Sequence, residues 1–145
     1  MALPAPVRIE FAMTREDTEG VAILSQQVRR REPAARLSLS YAYAPLALAI
    51  CVMLGALAAG LTRSQFVLEI EADHLVYSSD EMRWSTSLRR LTHCSLEGRF
   101  LCIWLAQAGA APVVVPLRAF SSRADAEDLC RTLNARIEKA RAARP

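Results

Sequence analysis

Residues that form catalytic or metal-binding motifs are scarce in this sequence. It has only two histidines, His74 and His93, and its four cysteines show no C-x-x-C spacing. Structural zinc sites need closely spaced cysteine and histidine ligands, so the spacing argues against one. A glycine-rich phosphate loop and a Ser-His-Asp set are also absent from the sequence. We therefore predict a protein that is not an enzyme and that uses no metal or cofactor.

Charge of one sign is not in large excess either. The chain has 18 basic and 15 acidic residues, and Lys139 is its only lysine. Proteins that bind nucleic acid concentrate basic residues on one face, and neither end of this chain does so. The composition argues against a nucleic-acid partner.

The cysteines are predicted to be reduced packing residues, because free cysteine behaves as a small hydrophobe. A disulfide between Cys94 and Cys102, across a predicted hairpin, is the alternative. His93 and Cys94 are neighbours on a predicted strand. Their side chains should point to opposite faces and should not form a thiol–imidazole pair.

One long apolar segment, residues 37–62, contains no charged side chain over its 26 residues. As a helix it would be about 39 Å long, which exceeds the roughly 30 Å hydrocarbon core of a bilayer. We predict one transmembrane helix here, between an N-terminal arm (1–36) and a C-terminal domain (63–145). A re-entrant hairpin around Pro45 or the glycines at 55 and 60 is the alternative.

Arginines flank this segment unequally. Positions 29, 30, 31 and 36 carry arginine before it, while only Arg63 follows closely. The positive-inside rule then predicts a cytoplasmic N-terminus. A single crossing would place the C-terminal domain on the opposite side.

The arm is predicted to hold one strand and one helix. Val7, Ile9, Phe11 and Met13 alternate with other residues, as on one face of a strand. Thr14 and the acids that follow it are typical of a helix start.

The C-terminal domain alternates at period two over several short segments and then changes to a helical period. We predict strands at 66–70, 75–77, 82–86, 88–96, 99–105 and 113–115. The last helix should begin at a cap of Ser122 and Asp125, with a buried stripe of Ala126, Leu129, Leu133 and Ile137. The expected fold class is α+β, an antiparallel half-barrel of about six strands capped by a C-terminal helix, as in pleckstrin-homology-like domains.

Several segments carry a family resemblance. They are the turn 72–74, Trp84 and the residues after it, 100–105, 113–121 and the arm segment 11–17. With these the chain resembles the YcxB-like bacterial membrane proteins, and 113–121 is similar to their I-P-x-R-A-F segment. The resemblance implies a pleckstrin-homology-like domain beside a membrane and carries no biochemical activity. Members usually have a hairpin of two membrane helices, for which residues 37–62 are too short.

Four arginines are candidate contacts for an anionic group or a partner: Arg89, Arg90, Arg99 and Arg118. Arg118 lies between the last strand and the last helix, where a structural role, bonding loop carbonyls or pairing with an acid, is the alternative. Basic residues close to a membrane gain about 1 kcal/mol each from anionic lipid.

The function that we expect is a non-enzymatic, membrane-anchored interaction module. It would bind a protein or peptide partner, or a second copy of itself, at the inner-membrane surface. An immunity protein that neutralises a toxin is one form of this hypothesis. Recognition of an anionic lipid head group by the four arginines is the alternative.

Overall fold

The structure is a computed structural model that describes residues 6–31, 65–80, 82–107 and 112–143. The chain divides into two compact units, one of residues 1–12 with 65–145 and the other of residues 13–64. The first unit holds all the described strands and the C-terminal helix, so the fold is α+β with two antiparallel sheets.

Sheet A has four antiparallel strands in the spatial order β1-β2-β3-β4. They are β1 (Val7–Ala12), β2 (Gln65–Ile70), β3 (His74–Ser79) and β4 (Arg83–Ser87). Apolar alternation places Leu68 and Ile70 of β2 on one face with Leu75 of β3, and all three are fully buried.

Strand β1 pairs with β2 over its whole length, from Val7 opposite Ile70 to Ala12 opposite Gln65. Phe11 and Phe66 stack with their ring centroids 5.7 Å apart, and Phe66 stacks in turn on Tyr77 at 5.5 Å. The predicted strand of the arm is therefore confirmed. It pairs with the first strand of the C-terminal domain and is at the edge of sheet A among the described strands.

Sheet B has three antiparallel strands in the order β5-β6-β7. They are β5 (Leu91–Glu97), β6 (Phe100–Leu105) and β7 (Val113–Pro116). Gly98 makes the turn from β5 to β6 with a φ of 58°, a conformation that glycine adopts without strain. Among the described residues after 63 there are thus six strands, and β1 adds another.

The strand predicted at 88–96 is wrong at its start, because Leu88–Arg90 is a 3₁₀ turn and β5 begins only at Leu91. The side chain of Ser87 accepts a hydrogen bond from the backbone N–H of Arg89, and this cap favours the turn. A second 3₁₀ turn, Leu117–Ala119, follows β7.

The C-terminal helix, α2 (Arg123–Ala142), packs on β5 and on the first 3₁₀ turn. Its predicted cap is confirmed, since the backbone N–H of Asp125 donates to Ser122 Oγ at 3.1 Å. Ala126, Leu133 and Ile137 of the predicted stripe are buried, while Leu129 is only half-buried.

The second unit contains α1 (Arg15–Arg31), which begins at the predicted cap. Thr14 Oγ1 accepts from the backbone N–H of Asp17 at 3.3 Å, and the carboxylate of Asp17 accepts from the backbone N–H of Thr14 at 2.8 Å. This reciprocal pair satisfies the first orphan donors of the helix.

The predicted transmembrane segment, 37–62, lies outside the described residues. Within the ranges that the structure describes, no helix has the length and apolar character needed to cross a bilayer.

Candidate functional site

The four candidate arginines lie at two opposite ends of sheet B. Arg90 precedes β5, and its carbonyl accepts from the backbone N–H of Ala106 at 2.7 Å, just beyond β6. Arg99 is in the turn at the other end of β5, and its carbonyl accepts from the backbone N–H of Leu117 at 2.8 Å. The seven residues of β5 separate these ends by about 20 Å. The structure therefore brings Arg89 near Arg90 and Arg99 near Arg118, but it does not gather all four.

Arg118 ties the connection between β7 and α2 to the first strand of the chain. Its Nη2 donates to the carbonyl of Ala12 at 2.6 Å, and the guanidinium of Arg99 lies 5.4 Å from the ring centroid of Phe100. Arg118 thus bonds a backbone carbonyl, which is the structural role considered as its alternative.

Arg89 points toward the C-terminal end of α2. Its Nη2 donates to the carbonyl of Ala143 at 3.1 Å. The backbone N–H of Leu88, beside it, donates to the carbonyl of Asp73 at 2.8 Å and fixes the 3₁₀ turn against the β2–β3 turn.

A pocket of about 550 Å³ lies between the β2–β3 turn, the first 3₁₀ turn and the C-terminal end of α2. We call it the Arg89 pocket. Its polar lining consists of Asp73, Ser87, Arg89, Arg136 and Lys139.

Arg136 and Lys139 are not among the four candidate arginines, although cations suit the C-terminal part of a helix. Both lie on the pocket face of α2, with Ala140 and Ala143. The signal that identifies them is their i, i+3 spacing beside the buried Ile137, which places them on one face next to the core.

Asn134 sets the position of α2 against sheet B. Its Oδ1 accepts from the backbone N–H of Cys94 at 2.6 Å, and its Nδ2 donates to the carbonyl of Cys94 at 2.9 Å. Among the described strands β5 is at the edge of sheet B, so this side chain satisfies two backbone groups that no described strand pairs with. Two residues further along α2, Arg136 donates from Nη2 to the carbonyl of Glu71, and Arg136 also lines the pocket.

Positive charge dominates the Arg89 pocket, with three cations against the carboxylate of Asp73. Asp73 Oδ1 is 2.7 Å from Nδ1 of His74. This hydrogen bond is the largest cause that lowers the pKa of Asp73, and the nearby charge of Arg89 makes a smaller contribution. Asp73 is therefore ionised at neutral pH, and one of its carboxylate oxygens is hydrogen-bonded to His74.

The cysteines do not form the alternative disulfide. Cys94 lies opposite Ile103 and Cys102 lies opposite Ser95, so the two thiols point to opposite faces of sheet B. Both are free, burial raises the pKa of Cys102 to about 12, and burial also raises the pKa of Cys94. A buried thiol of raised pKa is a poor nucleophile.

His93 points away from Cys94, as predicted. Its ring stacks on Trp104 with centroids 5.8 Å apart, while Nε1 of Trp104 donates to Ser95 Oγ at 2.8 Å. Trp104 is half-buried.

In the ranges that the structure describes, no three His, Cys, Asp or Glu side chains come together in a way that could hold a metal ion. Comparison with protein-family models, with curated proteins and with solved structures finds no match to this chain.

Proposed function

We propose that this protein is a non-enzymatic, membrane-anchored interaction module whose folded domain lies on the same side of the membrane as its N-terminus. The domain is offered to a protein or peptide partner at the cytoplasmic surface of a bacterial inner membrane. The observation that carries this proposal is the pairing of β1 with β2.

This pairing constrains how residues 37–62 can enter a bilayer. Ala12 and Gln65 are directly opposite each other, so the chain leaves sheet A and returns to it at the same corner. One complete crossing would put the arm and the domain on opposite sides, and β1 could not then pair with β2 of the same chain. We therefore propose a re-entrant insertion in place of the single crossing, with both ends of the segment on one side.

The flanking arginines favour the cytoplasm as that side. The free thiols of Cys94 and Cys102 agree with a reducing compartment. The half-barrel form of a pleckstrin-homology-like domain is supported by two observations. Sheets A and B are joined through the 3₁₀ turn after β4, and Arg118 links the far end of sheet B to β1. The resemblance to YcxB-like proteins agrees with the same-side arrangement and is part of the proposal.

The experiment that tests this function attaches compartment-sensitive reporters before Met1 in one fusion and after Pro145 in another. Both reporters should show activity only in the cytoplasm. Opposite results at the two ends would overturn the proposal. Crosslinking in intact membranes, followed by isolation under denaturing conditions, should then yield one stoichiometric partner, either a different protein or a second copy of this chain.

Anionic lipid recognition is the second candidate, in a form narrower than the four-arginine site. The two ends of sheet B are about 20 Å apart, so one head group cannot contact Arg89 and Arg118 together. A lipid would use one end only, and the Arg89 pocket is the end with further cations.

A further inference from the structure

The Arg89 pocket holds three cations and one carboxylate, that of Asp73, so its positive charge is only partly neutralised. Arg89 and Arg136 are each held by a backbone carbonyl, from Ala143 and Glu71 respectively. A carbonyl orients a guanidinium but carries no net charge. Among the described residues, none forms a salt bridge with Arg89, Arg136 or Lys139, whereas Arg123 and Arg131 on the same helix are paired with Glu127 and Asp128.

Each guanidinium keeps donors beyond the one that bonds the carbonyl, since arginine has five N–H groups in a planar fork. Lys139 adds an ammonium group on the same side of the pocket, and Ser87 adds a hydroxyl. Two pre-oriented forks and a point charge are the donor set that recognises phosphate oxygens.

The size of the pocket indicates more than a bare ion. At about 550 Å³ it is within the range of small-molecule sites, which is roughly 300–1,000 Å³. The carboxylate of Asp73 lines the pocket and is largely exposed, so it can accept a hydrogen bond from a ligand hydroxyl group.

From this geometry we propose that the Arg89 pocket binds a phosphate monoester attached to a small hydroxylated group. A monoester carries a charge of about −1.5 to −2 at neutral pH, which balances three cations and one carboxylate better than a phosphate diester or a carboxylate of charge −1 does. The group can belong to a soluble metabolite or to a lipid head group. The inference goes beyond the proposed function and does not depend on where residues 37–62 lie.

The test uses the full chain reconstituted in phosphatidylcholine nanodiscs, with binding of glycerol 3-phosphate measured by calorimetry. Saturable binding that weakens with added salt is expected. R89Q and K139Q should each reduce the affinity roughly tenfold, because each removes a charge-assisted contact. The matched controls are R90Q, next to Arg89 but outside the pocket lining, and R131Q, an exposed arginine of α2. Both controls should bind as the unmodified chain does.

The source of the phosphate is separated by a second arm. Nanodiscs that contain phosphatidic acid, a lipid monoester, are compared with nanodiscs that contain phosphatidylglycerol, a diester. Binding to glycerol 3-phosphate supports the proposal with a soluble source, and binding to phosphatidic acid alone supports it with a lipid source, if R89Q and K139Q weaken it in either case.

No binding of either monoester overturns the proposal, as does equal binding of the diester or binding that R89Q and K139Q leave unchanged. Circular dichroism of both variants shows whether they are folded. The reporter fusions do not involve the pocket, so failure of this inference is distinguishable from failure of the proposed function.

Discussion

Asn134 holds both backbone polar groups of Cys94, accepting from its N–H at 2.6 Å and donating to its carbonyl at 2.9 Å. One side chain of α2 thereby completes the outer edge of sheet B. The contact also orients α2 against the first 3₁₀ turn. In this orientation Arg136 and Lys139 line the Arg89 pocket together with Arg89.

Replacing this side chain should weaken the whole domain. Asn134→Ala leaves two backbone groups of β5 without their partner and should lower the free energy of unfolding by about 2 kcal/mol. Asn134→Asp keeps the acceptor but replaces the donor with a carboxylate oxygen that faces the carbonyl of Cys94, so it should also destabilise the domain. Thr132→Ala, at an exposed position of the same helix, is the control. Denaturant unfolding measures all three, and equal stability of the Asn134→Ala and Thr132→Ala variants would refute this role.

The turn between β5 and β6 should require glycine at position 98. Gly98 has a φ of 58°, and a Cβ added there would meet no atom within 4 Å. Any cost of substitution is therefore conformational and not steric. Gly98→Ala should destabilise the domain by about 1 kcal/mol, and Gly98→Asn by less, because asparagine tolerates the left-handed region better. Thermal unfolding compares the two, and a more stable alanine variant would contradict the assignment.

The buried thiols should make stability fall at alkaline pH. Burial raises the pKa of Cys102 from 9.0 to about 12, and it also raises the pKa of Cys94. Between these values the thiols ionise in the unfolded chain but stay protonated in the folded one. Their contribution is thus complete below about pH 8 and is lost as the pH rises, by roughly 1.4 kcal/mol per thiol per pH unit above about pH 9.

The control for this pH dependence is the variant C94A/C102A. Burial also raises the pKa of Tyr77 to about 12, so the comparison is made at pH 8–10, before tyrosines dominate. The unmodified chain should lose stability faster than the variant over this range. Parallel curves would show that the thiols do not contribute.

Local patterns in the sequence predict many of the helices and strands of this fold. They do not predict which strands pair over long distances in the chain. The caps at Thr14 and Ser122 are local, since each depends on residues three positions apart, and both are confirmed. Alternation predicts that 7–13 is a strand but does not name its partner. That partner, β2, comes only after residue 64, and nothing in the spacing of Val7, Ile9 and Phe11 indicates it.

Long-range strand pairing also explains why the four candidate arginines do not form one site. Arg89 and Arg118 both follow a strand and look equivalent in sequence, but β5 and β6 place them at opposite ends of sheet B. Arg89 instead meets Arg136 and Lys139, because Asn134 sets the register between α2 and β5.

The proposed function depends on the pairing of β1 with β2 of the same chain in the membrane-bound protein. Arg8 and Glu69 are opposite each other in this pairing, and Nη1 of Arg8 is 2.8 Å from Oε1 of Glu69. Paired positions on antiparallel strands have a Cα separation that suits a disulfide.

The most direct measurement is oxidation of the variant R8C/E69C in native membranes, with the linked peptides mapped by mass spectrometry. R8C/V67C, which is two residues out of register, is the control. We expect an efficient disulfide within one chain for R8C/E69C and little for the control. A disulfide that forms only between two chains, or equal crosslinking of both variants, would contradict it.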